Sequence, residues 1–268
     1  PAYPNGTLQI GDGDHIAVKT GIITLSDFRQ KHLAAGGEGA PLAVYGDYLI
    51  FSKSGENRIM LNIGGISNFT YLPGSLDTAA VFSTDIGPGN TLMDQYMQQH
   101  FGKFYDKDAK IASAGETNQR LLTTLLNHEF FDLDFPKTTG PELFNLDYLH
   151  QAQKQSSTEL ISEEDVMATL CYFSAEAIAN ALIKCANKTQ GVQIFMSGGG
   201  MHNPLLINLL KEKMPEVRFD TTAALGIHPD AKEAVLFAIL ANETLCGKKI
   251  NFGTGVPSVF MGKISLPE

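Results

Sequence analysis

Five short signatures that would identify a chemistry at sight are missing from this sequence. It holds no G-x-x-x-x-G-K-[ST], no G-x-G-x-x-G, no G-x-S-x-G, no H-E-x-x-H and no C-x-x-C. Walker-type phosphate loops, Rossmann fingerprints, nucleophile elbows, zinc-protease pairs and dithiol redox motifs are thereby excluded in their standard forms. The seven histidines show no ligand spacing, so no permanent metal site is expected. Cysteine is scarce: Cys171, Cys185 and Cys246 are odd in number, far apart and set in apolar helical contexts. They read as buried thiols of a reducing compartment rather than a disulfide framework. No apolar run approaches the roughly 20 residues of a membrane span, and no secretion signal is recognisable. A soluble, cytoplasmic protein is expected.

Positive charge is also short. Lys and Arg number 20 against 29 Asp and Glu, for a net charge of -9 and a pI near 5.2. Nucleic acid and anionic membrane would each need a basic face, so neither is expected as a partner. A phosphate ligand stays open, because a few backbone amides can bind one locally. What the chain does have is a globular balance of 43% hydrophobic and 18% charged residues, in a length that suits one large domain or two ordinary ones. It begins Pro1-Ala2-Tyr3-Pro4-Asn5 without an initiator methionine and reads as cut from something longer.

Strand and helix signals alternate along the sequence, which predicts an α/β class. Thr7–Ile10 reads as a strand. Asp12 caps a short helix through Lys19 that Gly21 ends, and Gly21–Ser26 reads as a buried strand delivering Asp27 at its end. Ala34–Pro41 is a loop, with a helix from Pro41 to about Phe51. Polar Ser52–Asn57 is the expected boundary, dividing the chain into 1–57 and 58–268. Two apolar runs joined by Gly64-Gly65 predict a β-hairpin, and Ala80–Thr84 a further strand. Asn90–Phe101 and Asn118–Phe131 read as helices. A long helix opens on a capping box, Ser162 with Asp165, and runs to about Ala186. A strand over Val192–Met196, a helix begun by Asn203 and Pro204, a short strand Val217–Phe219 and a helix from Pro229 to Cys246 complete the pass.

The candidate chemistry lies in Gly-rich turns at strand ends. Three stand out: Asn62–Asn68 with Gly64, Gly65 and Ser67; Thr84–Thr91 with Asp85, Gly87, Gly89 and Asn90; and Ser197-Gly198-Gly199-Gly200. Glycine lets a backbone approach a ligand and aim N–H groups at phosphate oxygens. Taken singly, each reads first as a plain tight turn; three together in one α/β chain weaken that reading. Asp27 is the carboxylate of interest, a helix cap or partner of Arg29 on one reading and a general base on the other. The Lys137–Phe144 segment is an exposed connector or a substrate loop.

These residues resemble one known family. Gly6–Gly11, Asp27-Phe28-Arg29, Ala34–Leu42, Leu61–Asn68, Asp85–Asn90, Lys137–Phe144, Ser197–Gly200 and Glu233–Ala238 match, in order, the anhydro-N-acetylmuramic acid kinases of the sugar kinase and actin superfamily. The resemblance implies a two-lobed actin-like ATPase (ribonuclease H-like) fold, with mixed sheets flanked by helices and the first lobe incomplete. ATP with Mg²⁺ would be the cofactor and a small sugar the other substrate, and a homodimer is implied. The implied nucleotide contacts are Asn62, Gly64, Gly65, Ser67, Asn68, Asp85, Gly87, Gly89, Asn90, Ser197, Gly198, Gly199, Gly200 and Asn203. Arg29, Gly36, Gly37, Lys137, Thr139 and Glu142 would meet the sugar. Asp27 would activate a water that opens the 1,6-anhydro ring while the freed O6 takes the γ-phosphoryl group. Two departures accompany the match: the family's first phosphate loop and His-Gly-Gln segment are not in this sequence, and Pro141 stands where the family has Arg. A nucleotide-binding module without turnover, or a kinase for another sugar, are the alternative readings.

Overall fold

The computed structural model describes residues 9–37, 42–186, 191–253 and 257–268. Helix α1 (Gly13–Thr20), strand β1 (Thr24–Ser26), helix α2 (Gln30–Ala34) and helix α3 (Leu42–Phe51) come first. The strands β2 (Arg58–Ile63) and β3 (Ile66–Leu72) follow, then β4 (Phe82–Pro88) and helix α4 (Thr91–Tyr96). Helices α5 (Gln119–Leu126), α6 (Glu129–Asp132), α7 (Leu146–Ser156) and α8 (Glu163–Ala186) lead to strand β5 (Gln193–Ser197). Helix α9 (Pro204–Lys213), strand β6 (Phe219–Thr221), helix α10 (Lys232–Cys246) and strand β7 (Lys263–Ser265) are the remaining elements.

Contacts gather the chain into two compact units, which cut it differently from a single division at 57/58. The first unit is Pro1–Glu56, Leu72–Phe82 and Ala231–Glu268; the second is Asn57–Tyr71 and Ser83–Asp230. In the first, α3 and α10 cross closely because Gly46 has no side chain. A Cβ there would stand 1.9 Å from Leu236 Cδ1. Asp47 on α3 pairs with Lys232 at 2.9 Å, both mostly buried, so attraction is little screened. Tyr45 sets its ring edge-on to Phe252 and donates its hydroxyl to the Pro257 carbonyl at 3.0 Å. Elsewhere in this unit β1 pairs antiparallel with β7, Thr24 opposite Ser265 and Ser26 opposite Lys263.

The second unit is built on a five-stranded sheet in the order β4-β3-β2-β5-β6. Strand β2 runs parallel to β5, and β5 parallel to β6. The two-residue Gly64-Gly65 connection makes β2 and β3 an antiparallel hairpin, so the sheet is mixed. Central β2 reads as a nearly continuous buried run, Ile59, Met60, Leu61 and Ile63, the pattern of a strand covered on both faces. Helix α8 supplies much of the core. Buried Ala168, Ala175, Ala177 and Ala179 let neighbouring elements approach its axis. By length and composition alone it could cross a membrane, yet 78% of its apolar stretch is buried within the protein, as befits a core helix.

Several local expectations are met atom by atom. The Asp12 carboxylate accepts from the Asp14 N–H, Gly21 ends α1 in the left-handed region, and Ser162 Oγ accepts from the Asp165 N–H at 3.1 Å. Others need correction. Strand β1 is only Thr24–Ser26, with Ile22 and Ile23 exposed by more than half. Strand β4 begins at Phe82, because Thr78–Ala80 is a 3-10 turn capped by Asp77. The expected helix 118–131 is two helices, the second capped by His128 Nδ1 accepting from the Phe130 N–H. Helix α4 passes into a π-helical turn over Met97–Phe101. Strand β5 is Gln193–Ser197 and β6 is Phe219–Thr221, each shifted toward its C-terminal end. Helix α10 starts at Lys232, after a 3-10 turn over Pro229–Ala231. Cys171 and Cys185 are buried as expected, but Cys246 is exposed near the end of α10. Thr7, Leu8 and residues 38–41 lie outside the described residues, and Gln9 and Ile10 are in no strand.

Candidate functional site

In the second unit the C-terminal ends of three parallel strands lie side by side, with Asn62 opposite Ser197 and Met196 opposite Thr221. Ligand clefts of α/β sheets open at such ends. The Gly64-Gly65 turn follows β2 there, and its carbonyls are tied down from one side. The Gly89 N–H donates to the Gly65 carbonyl at 2.8 Å, the Asn90 N–H to the Gly64 carbonyl at 2.8 Å, and the Thr91 N–H to the Gly65 carbonyl at 3.0 Å. The second Gly-rich stretch therefore serves as a bracket for the first, and these three amides are already engaged. Among the described residues, the turn's own N–H groups take no backbone partner. Asn90 joins the third stretch as well, its side chain lying against Gly199 and Gly200.

The glycines divide by what a side chain would meet. A Cβ on Gly89 would stand 2.3 Å from the Gly64 carbonyl oxygen, and one on Gly200 would stand 2.2 Å from Ile63 Cγ2. Gly198 is left-handed at φ +86 and would strike Asn62 Oδ1 at 2.6 Å; Gly87 has φ +142 beside the Phe131 ring. The fold itself demands glycine at these four positions. It makes no such demand at Gly65 or Gly199, where the nearest atom to a Cβ is 3.8 Å away and φ is not left-handed. Gly64 is nearly as open, its nearest atom being 3.4 Å away. What glycine offers at these places is a bare backbone that a ligand can approach.

Buried hydroxyls point the same way. Ser67 Oγ and Ser197 Oγ are buried and lack a hydrogen-bond partner among the described residues, as does Thr222 Oγ1 just beyond β6. Such groups are normally paired in folded proteins. Asn203 accepts from the Leu206 N–H at 3.0 Å, and so acts as the cap of α9. Asn68 sits half-buried in β3. Sequence reading passed over Thr222 and Ser174. The Ser174 hydroxyl, set among the buried alanines of α8, donates to the Gly89 carbonyl at 2.8 Å. A serine within an otherwise apolar, small-residue face was the available signal. Ser174→Ala is expected to cost about 1–2 kcal/mol by leaving that buried carbonyl without its donor. A lower urea midpoint at unchanged slope is the expected readout.

The Lys137–Glu142 segment joins β4 rather than the glycine turn. Lys137 lies buried with its ammonium donating to the Phe130 carbonyl at 2.7 Å and standing 4.2 Å from the Phe130 ring centre. Burial lowers its pKa, nearby Lys184 adds to the fall, and Asp132 opposes it. Its charge thus anchors the segment from inside. Thr139 donates its N–H to Asp85 Oδ2 at 2.9 Å, while its own hydroxyl is buried and unpartnered among the described residues. Burial pushes the Asp85 carboxyl up, the Thr139 N–H pulls it back, and the nearby Glu142 charge adds to the rise. Glu142 itself is exposed.

The first unit holds the other candidates. Asp27 directly follows β1 with φ +52, a left-handed conformation that Asp tolerates better than most residues but that still carries strain. Its Oδ1 is buried without a hydrogen-bond partner among the described residues. Phe28 packs on Phe237 with ring centres 5.3 Å apart, fixing the chain immediately after Asp27. Arg29 opens α2, its carbonyl accepting from the N–H groups of His32 and Leu33 at 3.1 and 3.2 Å. Gly36 is left-handed at φ +89, and Gly37 lies flat on the buried His32 ring, where a Cβ would come within 2.2 Å. A strained carboxylate with an unused oxygen suits a group that waits for a proton or a donor from a ligand.

Comparison with known proteins gives a consistent result. The model of the family described as anhydro-N-acetylmuramic acid kinase matches residues 2–260. A protein of that name from Pseudoalteromonas atlantica is 59% identical, over 99% of this chain and 68% of its own length. Its namesake from Pseudoalteromonas translucida is 57% identical over the same shares, 99% and 68%. One from Shewanella baltica is 42% identical over 97% and 69%. The chain thus spans about two thirds of the length of these relatives. Among solved structures, the activator of the 2-hydroxyisocaproyl-CoA dehydratase from Clostridium difficile with bound ADPNP is matched at a TM-score of 0.46 and 14% identity, covering 78% of this chain and 70% of that one.

Proposed function

The chain belongs to the anhydro-N-acetylmuramic acid kinase family, and from that premise we propose that it phosphorylates 1,6-anhydro-N-acetylmuramic acid with ATP. The observation that carries the reading is the Gly64-Gly65 turn. Its carbonyls are bracketed by Gly89, Asn90 and Thr91, and Gly65 is a glycine that the fold does not require. Backbone N–H groups held open in this way suit phosphate oxygens. Ser197 and Gly199 are proposed to continue the nucleotide contacts along the ends of the parallel strands. ATP supplies the γ-phosphoryl group, and Mg²⁺ is proposed to arrive on its phosphates and retain several waters.

In the proposed reaction Asp27 accepts a proton from water as the water oxygen bonds to the anomeric carbon. The bond from that carbon to O6 breaks, O6 takes the phosphoryl group, and N-acetylmuramic acid 6-phosphate and ADP are the products. Phosphoryl transfer depends mainly on positioning and charge neutralisation, which a set of fixed amides supplies. A role in recycling cell-wall fragments, a cytoplasmic location and a homodimeric state belong to the same proposal. Purified protein is expected to release ADP only when anhydro-N-acetylmuramic acid is present. Equal release without sugar, or with N-acetylglucosamine in its place, would overturn the reading.

A further inference from the structure

The Lys137–Glu142 segment is clamped at both ends. At the front, the Asp85 N–H donates to the Lys137 carbonyl at 2.9 Å and the Lys137 N–H donates to Thr84 Oγ1 at 3.0 Å. The Thr139 N–H then donates to Asp85 Oδ2 at 2.9 Å. At the back, Asn145 accepts from the Tyr148 N–H to cap α7, while its Nδ2 donates to the carbonyls of Pro141 and Glu142 at 3.2 and 3.0 Å. Between the clamps stands Glu142, exposed and folded back over Gly140, where a Cβ would come within 2.1 Å of its Oε2. Asp85 is thus bonded to this segment through both its backbone and its side chain. The glycine turn is bracketed by Gly89, Asn90 and Thr91.

We propose that Asp85 is a positioning residue that sets Thr139 and Glu142 for the sugar and takes no part in holding the nucleotide. The identity of the ligand rests on the sugar-kinase reading; the clamp does not. A carboxylate accepting a backbone N–H makes a short, charge-assisted bond. Its loss frees the middle of the segment while the Asp85 N–H still holds the foot at Lys137. Alanine at 85 removes the acceptor altogether. Asparagine keeps an oxygen in place without the charge, so a positioning role predicts partial rescue.

The experiment compares Asp85→Ala and Asp85→Asn with the unaltered protein in two ways. Steady-state kinetics should show KM for the sugar raised at least about tenfold in the alanine variant, KM for ATP within about twofold, and the asparagine variant in between. Amide hydrogen exchange should show the Thr139 N–H exchanging at least about tenfold faster, with the N–H groups of Gly89, Asn90 and Thr91 as protected as before. A rise in KM for ATP to match that for the sugar, or unchanged exchange at Thr139, would overturn the proposal. If the unaltered protein shows no sugar-dependent turnover, the kinase reading falls and exchange at Thr139 still decides the clamp. If the alanine variant fails to fold, the asparagine variant, which keeps the side-chain volume, carries the exchange test: a Thr139 N–H exchanging faster than in the unaltered protein supports the clamp, and unchanged exchange overturns it.

Discussion

Asp27→Asn is expected to lower sugar-dependent ADP release by roughly 10²–10⁴-fold, the usual worth of a general base, while leaving the protein folded. Asparagine has nearly the shape of aspartate and, with it, is among the few residues that tolerate a left-handed backbone. The φ of +52 therefore imposes no new strain in the variant. The pairing of β1 with β7 and the Phe28–Phe237 contact hold the chain on either side and are untouched. What disappears is a proton acceptor at an oxygen that has no other partner among the described residues. Turnover near that of the unaltered protein, at an unchanged melting temperature, would remove Asp27 from the chemistry. A collapse of stability would instead make its buried oxygen a structural group. The two results are separable because the first is read in a kinetic assay and the second in thermal unfolding.

Much of the framework was legible because it is local. Asp12, Ser162 and Asn203 announce helix starts through one side-chain oxygen and a nearby N–H, a signal contained within three residues. Gly64-Gly65 between two apolar runs announces a hairpin in the same way. What stayed hidden depends on distant partners. Strand β7 exists because it pairs with β1, more than 230 positions earlier in the chain. Helix α7 went unread even though Asn145 caps it, because its outer face is strongly polar and its buried residues, Leu149, Ala152 and Gln153, make a weak apolar stripe. The candidate site shows the same split. The Gly-rich stretches could be found in the sequence, but their distinct roles could not. Gly89 and Gly200 are glycines because another backbone or side chain presses on them, whereas Gly65 and Gly199 stand open. Lys137 illustrates the converse: a charged residue in a promising motif proves to point inward, onto the carbonyls and rings of Phe130 and Phe131.

That distinction among glycines yields the other large expected effect, a pair of alanine substitutions with opposite signatures. At Gly89 a methyl group would stand 2.3 Å from the Gly64 carbonyl oxygen and 2.6 Å from Ser67 Oγ. Neither neighbour can swing away freely: the carbonyl is held by the Asn90 N–H, and Ser67 is fully buried. Gly89→Ala is expected to lose about 3 kcal/mol of stability through overpacking, seen as a lower urea midpoint. At Gly65 the nearest atom would be Thr91 Cβ at 3.8 Å, an ordinary contact. Gly65→Ala should therefore hold stability or gain about 0.4–1 kcal/mol, because alanine narrows the unfolded ensemble. The same methyl group would occupy the space through which a phosphate reaches the turn. Losing one charge-assisted bond there corresponds to about 1.5–3 kcal/mol, or a roughly 10- to 100-fold weaker nucleotide affinity by titration calorimetry. A variant that is as stable as its parent yet binds nucleotide poorly would identify Gly65 as a residue kept for its ligand. Equal destabilisation at both positions would return the Gly64-Gly65 turn to the fold, and unchanged nucleotide affinity in Gly65→Ala would move the phosphate contacts elsewhere.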